Sequence, residues 1–255
     1  MLTKIKTAKE IESMRRGGKI LGEILHALEK FVRPGITTQD LENESLRLFK
    51  EYGVKPGFLG YHGFPATLCV AVNEEVVHTI PSDRVLNEGD ILSIDCGVLL
   101  NGLNTDSAVA IIVGKTKPEI KKFVDTCIRA MWAGIKLVKP GNRVGDIGHA
   151  IEQVIKRGGY SVIPTLTGHG IGENLHEEPY VYNYGKTHTG MVLKPGMTIA
   201  IEPILAMGSP KIYTATDGWN ILTRDSSLAI QHEHTVLVTE SGVEVLTLRP
   251  GEVPV

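Results

Sequence analysis

Asp95 and Asp106 stand 11 residues apart around Gly97 and an Asn101-Gly102 dipeptide. Asn-Gly is a strong local signal for a tight β-hairpin turn, so the two carboxylates are expected side by side on neighbouring strands. Two close carboxylates repel and one pKa rises, whereas a bound dication keeps both ionised; the alternative is a pair of solvated turn acids. Further on, Gly168-His169-Gly170-Ile171-Gly172 precedes His176-Glu-Glu-Pro179. Three alternating glycines exclude a stable helix. They also remove side-chain bulk around His169, as close approach of a substrate or metal requires. His169 and His176 are candidates for a ligand and an outer-sphere acid. Glu202 ends an apolar strand over 197–201, where a charge is costly unless paired or metal-bound. In Gln231-His232-Glu233-His234-Thr235, strand alternation puts Glu233 on one face and both histidines on the other. Glu233 then joins the carboxylate cluster, with the histidines packed or hydrogen-bonded behind it. A rival reading makes His232 and His234 the ligands, which would leave the other acids nothing to coordinate. Asp95, Asp106, His169, Glu202 and Glu233 together suit two oxygen-seeking divalent ions sharing bridging carboxylates, and hydrolysis by a metal-bound hydroxide.

These residues need elements to position them. Thr7-x-x-Glu10 is a capping box, after which Ile11, Met14, Ile20, Leu21, Ile24, Leu25 and Leu28 recur at helical spacing until Val32-Arg-Pro-Gly35. A second helix is expected over 38–52, closed by Gly53. Short β-branched runs predict strands at 68–72, 75–78, 90–96 and 107–113. The pattern then starts again, with helices over 118–138 and 144–157 and a Gly158-Gly159 stop. Val32-Arg-Pro-Gly35 aligns with Val138-Lys-Pro-Gly141, and the run from Leu86 to Asp95 aligns with that from Leu193 to Glu202. So long a repeat is unlike a solenoid. It points to two α/β halves about a pseudo-twofold axis, at about 8–113 and 118–240 of one domain spanning 1–255; chance recurrence of Pro-Gly turns is the alternative.

Composition narrows the class. With 42% hydrophobic and 22% charged residues the chain reads as globular, and Lys+Arg 27 against Asp+Glu 29 gives no excess positive charge for nucleic acid. No apolar run approaches the length of about 18 residues that spans a bilayer, and the basic first segment lacks the apolar core of a secretory signal. Three cysteines without C-x-x-C spacing fit reduced thiols in a cytoplasm. Phosphate-binding loops and the serine-nucleophile elbow are missing, so nucleotide binding and serine hydrolysis have no support. His26, His149 and His188 read as structural.

Motifs spread over nearly the whole chain resemble the bacterial-type (type I) methionine aminopeptidases. They are Tyr61-His-Gly-Phe-Pro65, Asn73-Glu-Glu-Val-Val-His-Thr-Ile-Pro81, Gly89-Asp90, Asp95, Asp106, Thr167-Gly-His-Gly-Ile-Gly172, His176-Glu-Glu-Pro179, Ile201-Glu-Pro203, Thr223-Arg-Asp225 and Glu233-His-Thr235. The resemblance implies an α+β pita-bread fold, two pseudo-twofold-related α/β halves around a central antiparallel sheet. It implies two divalent ions (Co, Mn, Fe, Zn or Ni), one held by Asp95, Asp106 and Glu233 and the other by Asp106, His169, Glu202 and Glu233. A hydroxide between them would attack the carbonyl of the N-terminal residue, with Glu202 shuttling the proton and His176 steadying the oxyanion. His78 would hydrogen-bond the scissile amide.

The same resemblance places the methionine side chain among Phe58, Tyr61, Phe64, Cys69, Leu175 and Trp219, above a site for a small second residue. Ordinary core packing is the other reading of these six, and Cys69 fits either. The implied partner is a peptide or nascent-chain N-terminus, with the ribosome near, for a cytoplasmic monomer with no membrane and no specific nucleic-acid contact. Departures from the family pattern lie at Leu103-Asn-Thr before Asp106, at Leu175 where an aromatic is common, and at His232 where Tyr or Phe is common; they bear on pocket shape. The chain also lacks the N-terminal zinc-finger extension and the inserted helical domain found in some relatives. Two other functions fit the same motifs less well. An Xaa-Pro aminopeptidase or dipeptidase usually carries an extra N-terminal domain, and a non-catalytic pita-bread binding protein typically loses ligands that are all present here.

Overall fold

The structure, a computed structural model, describes residues 4–254, so residues 1–3 and 255 of the expected single domain lie outside it. The chain opens with two helices, α1 (Ala8–Phe31) and α2 (Thr38–Tyr52). Both start on capping boxes, Thr7 with Glu10 and Thr37 with Asp40, and α2 stops on Gly53 in the left-handed region at φ 64°. Strands β1 (Lys55–Pro56), β2 (Leu68–Val72) and β3 (Glu75–Val77) lead to a long hairpin, β4 (Ile91–Leu100) and β5 (Leu103–Ile112), turning at Asn101-Gly102. A second helix pair follows, α3 (Pro118–Ile135) and α4 (Val144–Gly158), then β6 (Ser161–Val162), β7 (Thr167–Gly170), β8 (Glu177–Tyr182), β9 (Thr198–Ile201) and β10 (Ile204–Ala206). The last strands are β11 (Ile212–Thr214), β12 (Ile221–Thr223), β13 (Ala229–Gln231), β14 (His234–Val238) and β15 (Val243–Val245).

All strand pairs are antiparallel. β4 takes β5 along its full length and β1 and β2 on its other edge, while β15-β14-β9-β7-β8 form a five-stranded sheet. Each helix pair covers one sheet. Leu21, Ile24, Leu25 and Leu28 of α1 pack with Leu41 and Phe49 of α2 on Val70, Leu92, Ile94 and Val109. Phe123, Met131 and Ile135 of α3 and Ile147, Ile151 and Ile155 of α4 pack on Val181, Ile199, Ile201, Val236 and Val238. With Ile199 and Ile201 turned to the helices, strand alternation sends Thr198 and Ala200 to the other face, and Glu202 follows them. No helix among the described residues is long and apolar enough to cross a membrane.

Boundaries differ most from expectation in two places, the hairpin and the end of α3. The hairpin strands run to Leu100 and from Leu103, several residues past the expected 90–96 and 107–113, because ten cross-strand pairs and the cover of α1 outweigh the weak strand propensity of Gly97 and Asn104. Helix α3 ends at Ile135 rather than at residue 138. There the bonds tighten, Leu137 N–H to Gly134 O and Val138 N–H to Ile135 O, and Val138 is buried without being helical.

Candidate metal centre and substrate cavity

The acids converge from four segments. Asp95 on β4 stands opposite Ala108, and Asp106 on β5 opposite Gly97, so the two carboxylates are diagonal neighbours on one face of the hairpin. Glu202 follows β9 directly. Glu233 sits in the break between β13 and β14, where its N–H donates to Ala108 O (2.9 Å) and Ser107 Oγ donates to its carbonyl (2.7 Å). Thr235, two residues on, receives the Asp106 N–H (2.9 Å) and donates to Asp106 O (2.7 Å), so one strand fixes both acids. His232 and His234 turn to the opposite side. His232 Nδ1 accepts the Ala110 N–H (2.9 Å), and His234 Nε2 lies 3.0 Å from Glu252 Oε1.

His169 on β7 completes the cluster. Its Nδ1 is 2.8 Å from the Gly170 carbonyl, which only accepts, so the proton is on Nδ1 and the lone pair on Nε2. That lone pair faces Glu202 Oε1 at 3.5 Å and Asp106 Oδ2 at 4.0 Å. Burial, with His176 beside it, lowers the His169 pKa to about 3, which keeps the ring neutral. Burial raises the carboxyls in turn: Asp95 to about 7, against the lowering hydrogen bonds of Asp106 and Gln231, and Asp106, Glu202 and Glu233 well above the usual range, these three further raised by the neighbouring acids. Asp95 Oδ1, Asp106 Oδ1 and Glu233 Oε1 are buried without a hydrogen-bond partner. One atom each of Asp106, His169 and Glu233 lies within 4.8 Å of the others. Orphaned carboxylate oxygens facing an imidazole lone pair fit a divalent cation, which satisfies all of them at once.

Above this floor is a cavity of about 440 Å³. It is lined by the cluster, by His78 and His176, and by Phe58, Tyr61, Phe64, Cys69, Leu175 and Trp219, so all thirteen expected residues meet in one space. The Phe64 and Trp219 rings meet edge to face at 5.1 Å. Trp219 is fixed by a turn in which Asp217 Oδ1 accepts the N–H groups of Trp219 and Asn220. Cys69 pairs with Asp95 across β2 and β4, and burial raises its pKa well above the ordinary value, so it stays a neutral thiol. Phe58 reaches the cavity past Gly97, where an added Cβ would lie 2.8 Å from the ring. His78 holds φ 58° in the left-handed region, a conformation that side-chain-bearing residues seldom adopt outside turns and functional sites. Tyr61 OH lies 2.9 Å from His176 Nδ1.

Three particulars depart from the sequence reading. The glycines flanking His169 serve the sheet rather than an incoming group: a Cβ on Gly168 would strike the Ala200 carbonyl, and one on Gly170 the Glu178 carbonyl. Gly170→Ala is therefore expected to cost about 3 kcal/mol of stability, because backbone rather than a flexible side chain must yield. Urea unfolding checks this, and a loss below about 1 kcal/mol would show the strands can part freely. His232 does not line the cavity, so its departure from the family pattern leaves pocket shape alone, whereas Leu175 does line it. The third particular is Gln231, which sequence reasoning missed. Its Nε2 donates to Asp95 Oδ2 (3.4 Å), Glu202 Oε2 (3.2 Å) and Glu233 Oε2 (3.2 Å). The signal was its place two residues before Glu233, hence on the same strand face.

Known proteins are similar to this chain over nearly its whole length. The chain is 44% identical to the methionine aminopeptidase of Clostridium acetobutylicum, over 96% of this chain and 98% of that protein. The crystal structure of a methionine aminopeptidase from Thermotoga maritima superposes with a TM-score of 0.95 at 43% identity, covering 97% of this chain and all of that one. A prolidase from Pyrococcus furiosus shares the fold more distantly, with a TM-score of 0.78 and 26% identity, and this chain spans only 65% of it. The fold is thus the pita-bread fold, α+β, and the model of metallopeptidase family M24 matches residues 12–240. Buried acids and imidazole floor a cavity with an apolar wall, in a chain so matched from end to end: it belongs to metallopeptidase family M24.

Proposed function

We infer that the chain removes the N-terminal methionine from peptides and nascent proteins whose second residue is small. The observation that carries this reading is the juxtaposition in one cavity of the acid–imidazole cluster with a wall of Phe58, Tyr61, Phe64, Cys69, Leu175 and Trp219, apolar and polarisable enough for a thioether. Two divalent ions fit the donors, Asp95, Asp106 and Glu233 on one and Asp106, His169, Glu202 and Glu233 on the other, and Mn, Fe, Co, Zn or Ni all accept such a set. When bound, they supply Lewis acidity and an acidified water for amide hydrolysis. Glu202, on the cavity floor beside His169, would take a proton and return it to the leaving amine. With the Tyr61 hydroxyl, 2.9 Å from His176 Nδ1, as donor, the His176 proton would sit on Nε2, where it can donate to the developing oxyanion. His78 holds the scissile amide. The chain works as a single catalytic unit, a cytoplasmic monomer acting on chain termini as they leave the ribosome.

Methionine release from Met-Ala-Ser by chelator-stripped protein, before and after Mn(II), Fe(II) or Co(II), tests the reading. N-formyl-Met-Ala-Ser and Ala-Pro-Ala serve as parallel substrates. Metal-dependent release from the free-amine methionine peptide alone is the expected result. Cleavage of Ala-Pro-Ala alone would move the activity to a proline-specific peptidase, and no turnover with metal bound would leave a binding protein.

A further inference from the structure

Tyr180, Tyr182 and Tyr184 take no part in the chemistry above, yet they form a continuous exposed row. Along β8 and just past it burial alternates: Pro179, Val181 and Asn183 are buried, while the three tyrosines are 53%, 43% and 38% exposed. The rings follow one another at centroid distances of 6.3 and 5.4 Å. Single exposed apolar side chains are ordinary, but a contiguous row marks a contact surface.

Two observations tie this row to the cavity. Tyr180 lines it, as do Thr167 and His169. Thr167 stands directly opposite Tyr182 in the β7–β8 ladder, so the tyrosine face continues the face that carries His169. The row therefore begins at the cavity mouth and leads away from it. Backbone pairing is not on offer there, since a Cβ on Gly148 of α4 would strike the carbonyl oxygens of Tyr182 and Tyr184, and the helix covers that backbone. The rings are what remains accessible. Alternate residues of a strand are spaced by about 6.6 Å, as are alternate side chains of any extended peptide laid along it. Tyrosine gives flat, amphipathic contact area at a small cost in conformational entropy.

We propose that the Tyr180–Tyr182–Tyr184 row is a substrate subsite, which holds the extended polypeptide downstream of the cleaved bond and favours apolar or aromatic side chains there. The proposal rests on the aminopeptidase reading, because a cavity of about 440 Å³ encloses only the first residue or two and the following chain must leave across an outer surface.

The test compares Met-Ala-Leu-Phe-Leu-Phe-Lys-Lys with Met-Ala-Ser-Ser-Ser-Ser-Lys-Lys in Mn(II), using wild-type protein and the double variant Tyr182→Ser/Tyr184→Ser. In wild type kcat/KM is expected to favour the apolar peptide by about tenfold, as one or two aromatic contacts imply, and in the variant the ratio falls to within about twofold. No preference in wild type, or an unchanged ratio in the variant, overturns the subsite. A second arm needs no turnover. The apolar peptide with its first amide reduced to a methylene-amine and a fluorescein on its last lysine is titrated by anisotropy. A Kd several-fold weaker in the variant supports the subsite even if no methionine is released, and equal Kd values overturn it. Sedimentation velocity on both proteins closes the remaining route: loss of a dimer in the variant with an unchanged peptide Kd overturns the proposal in favour of self-association.

Discussion

Glu202→Gln is expected to lower kcat for methionine release by about 10³-fold, while leaving the fold intact and changing KM far less. Glutamine has the same shape and can keep the contact with Gln231 by turning its amide, so the buried space is neither emptied nor overfilled. What it loses is the capacity to take a proton. Glu202 is suited to that step by position, on the cavity floor beside Gln231 and His169. It also faces the unprotonated Nε2 of His169 at 3.5 Å, so the substitution would weaken the proposed metal donors as well as the proposed proton carrier. Metal content measured alongside steady-state kinetics separates the two effects. A kcat within tenfold of wild type in the metal-loaded variant would remove Glu202 from the proton path.

How legible these features were in the sequence varied with the range of the interactions behind them. The Thr7–Glu10 capping box, the Asn101-Gly102 turn and the Gly53 stop are local, and all three appear where the residue types place them. Asp95 and Asp106 are read from a hairpin turn, His169 from its glycine-rich loop, Glu202 from its apolar strand and Glu233 from alternation, and one divalent-metal chemistry joins them. Their coming together from β4, β5, β7, β9 and the break before β14 is a tertiary fact that alternation only hints at. Alternation also found the right side for His232 and His234, although the strand breaks at Glu233 and those rings serve Arg249 and Glu252 rather than the cavity. Gln231 was overlooked because an uncharged amide has no titration or ligand signature; its role exists only where three carboxylates meet. The glycines around His169 were misread for a similar reason. The carbonyls of Ala200 and Glu178 that forbid a Cβ come from strands far along the chain or across a bulge, invisible in a run of five residues.

The same buried acids give the metal-free protein an unusual dependence on pH. A carboxyl whose folded pKa lies above its unfolded value, near 4, stabilises the fold fully below that value and loses this contribution as pH rises through the folded pKa. For Asp95 that pKa is about 7, and for Asp106, Glu202 and Glu233 it is well above the ordinary range, so the loss is still under way in neutral solution. Neutral buried histidines act in the opposite sense: His169, His232 and His234 have lowered pKa values, so stability rises with pH until the unfolded imidazoles have lost their protons. That opposing rise is spent by about pH 7, since an unfolded histidine titrates near 6.5. The buried thiols, raised in pKa, weaken the fold only above about pH 8.5, where unfolded cysteine ionises. Between these limits the carboxyls stand alone, and each one still protonated in the native state removes about 1.4 kcal/mol per pH unit. Chelator-stripped protein is therefore expected to lose unfolding free energy as pH rises through about 7, the Asp95 value, and on to pH 8.5, measured by urea denaturation. Loading with Mn(II) under nitrogen should nearly abolish the slope, because oxygens bound to a dication are already ionised and release no further protons. A metal-free protein equally stable at both pH values, or an equal fall with the ion bound, would mean that these four acids do not share one desolvated, cation-binding centre.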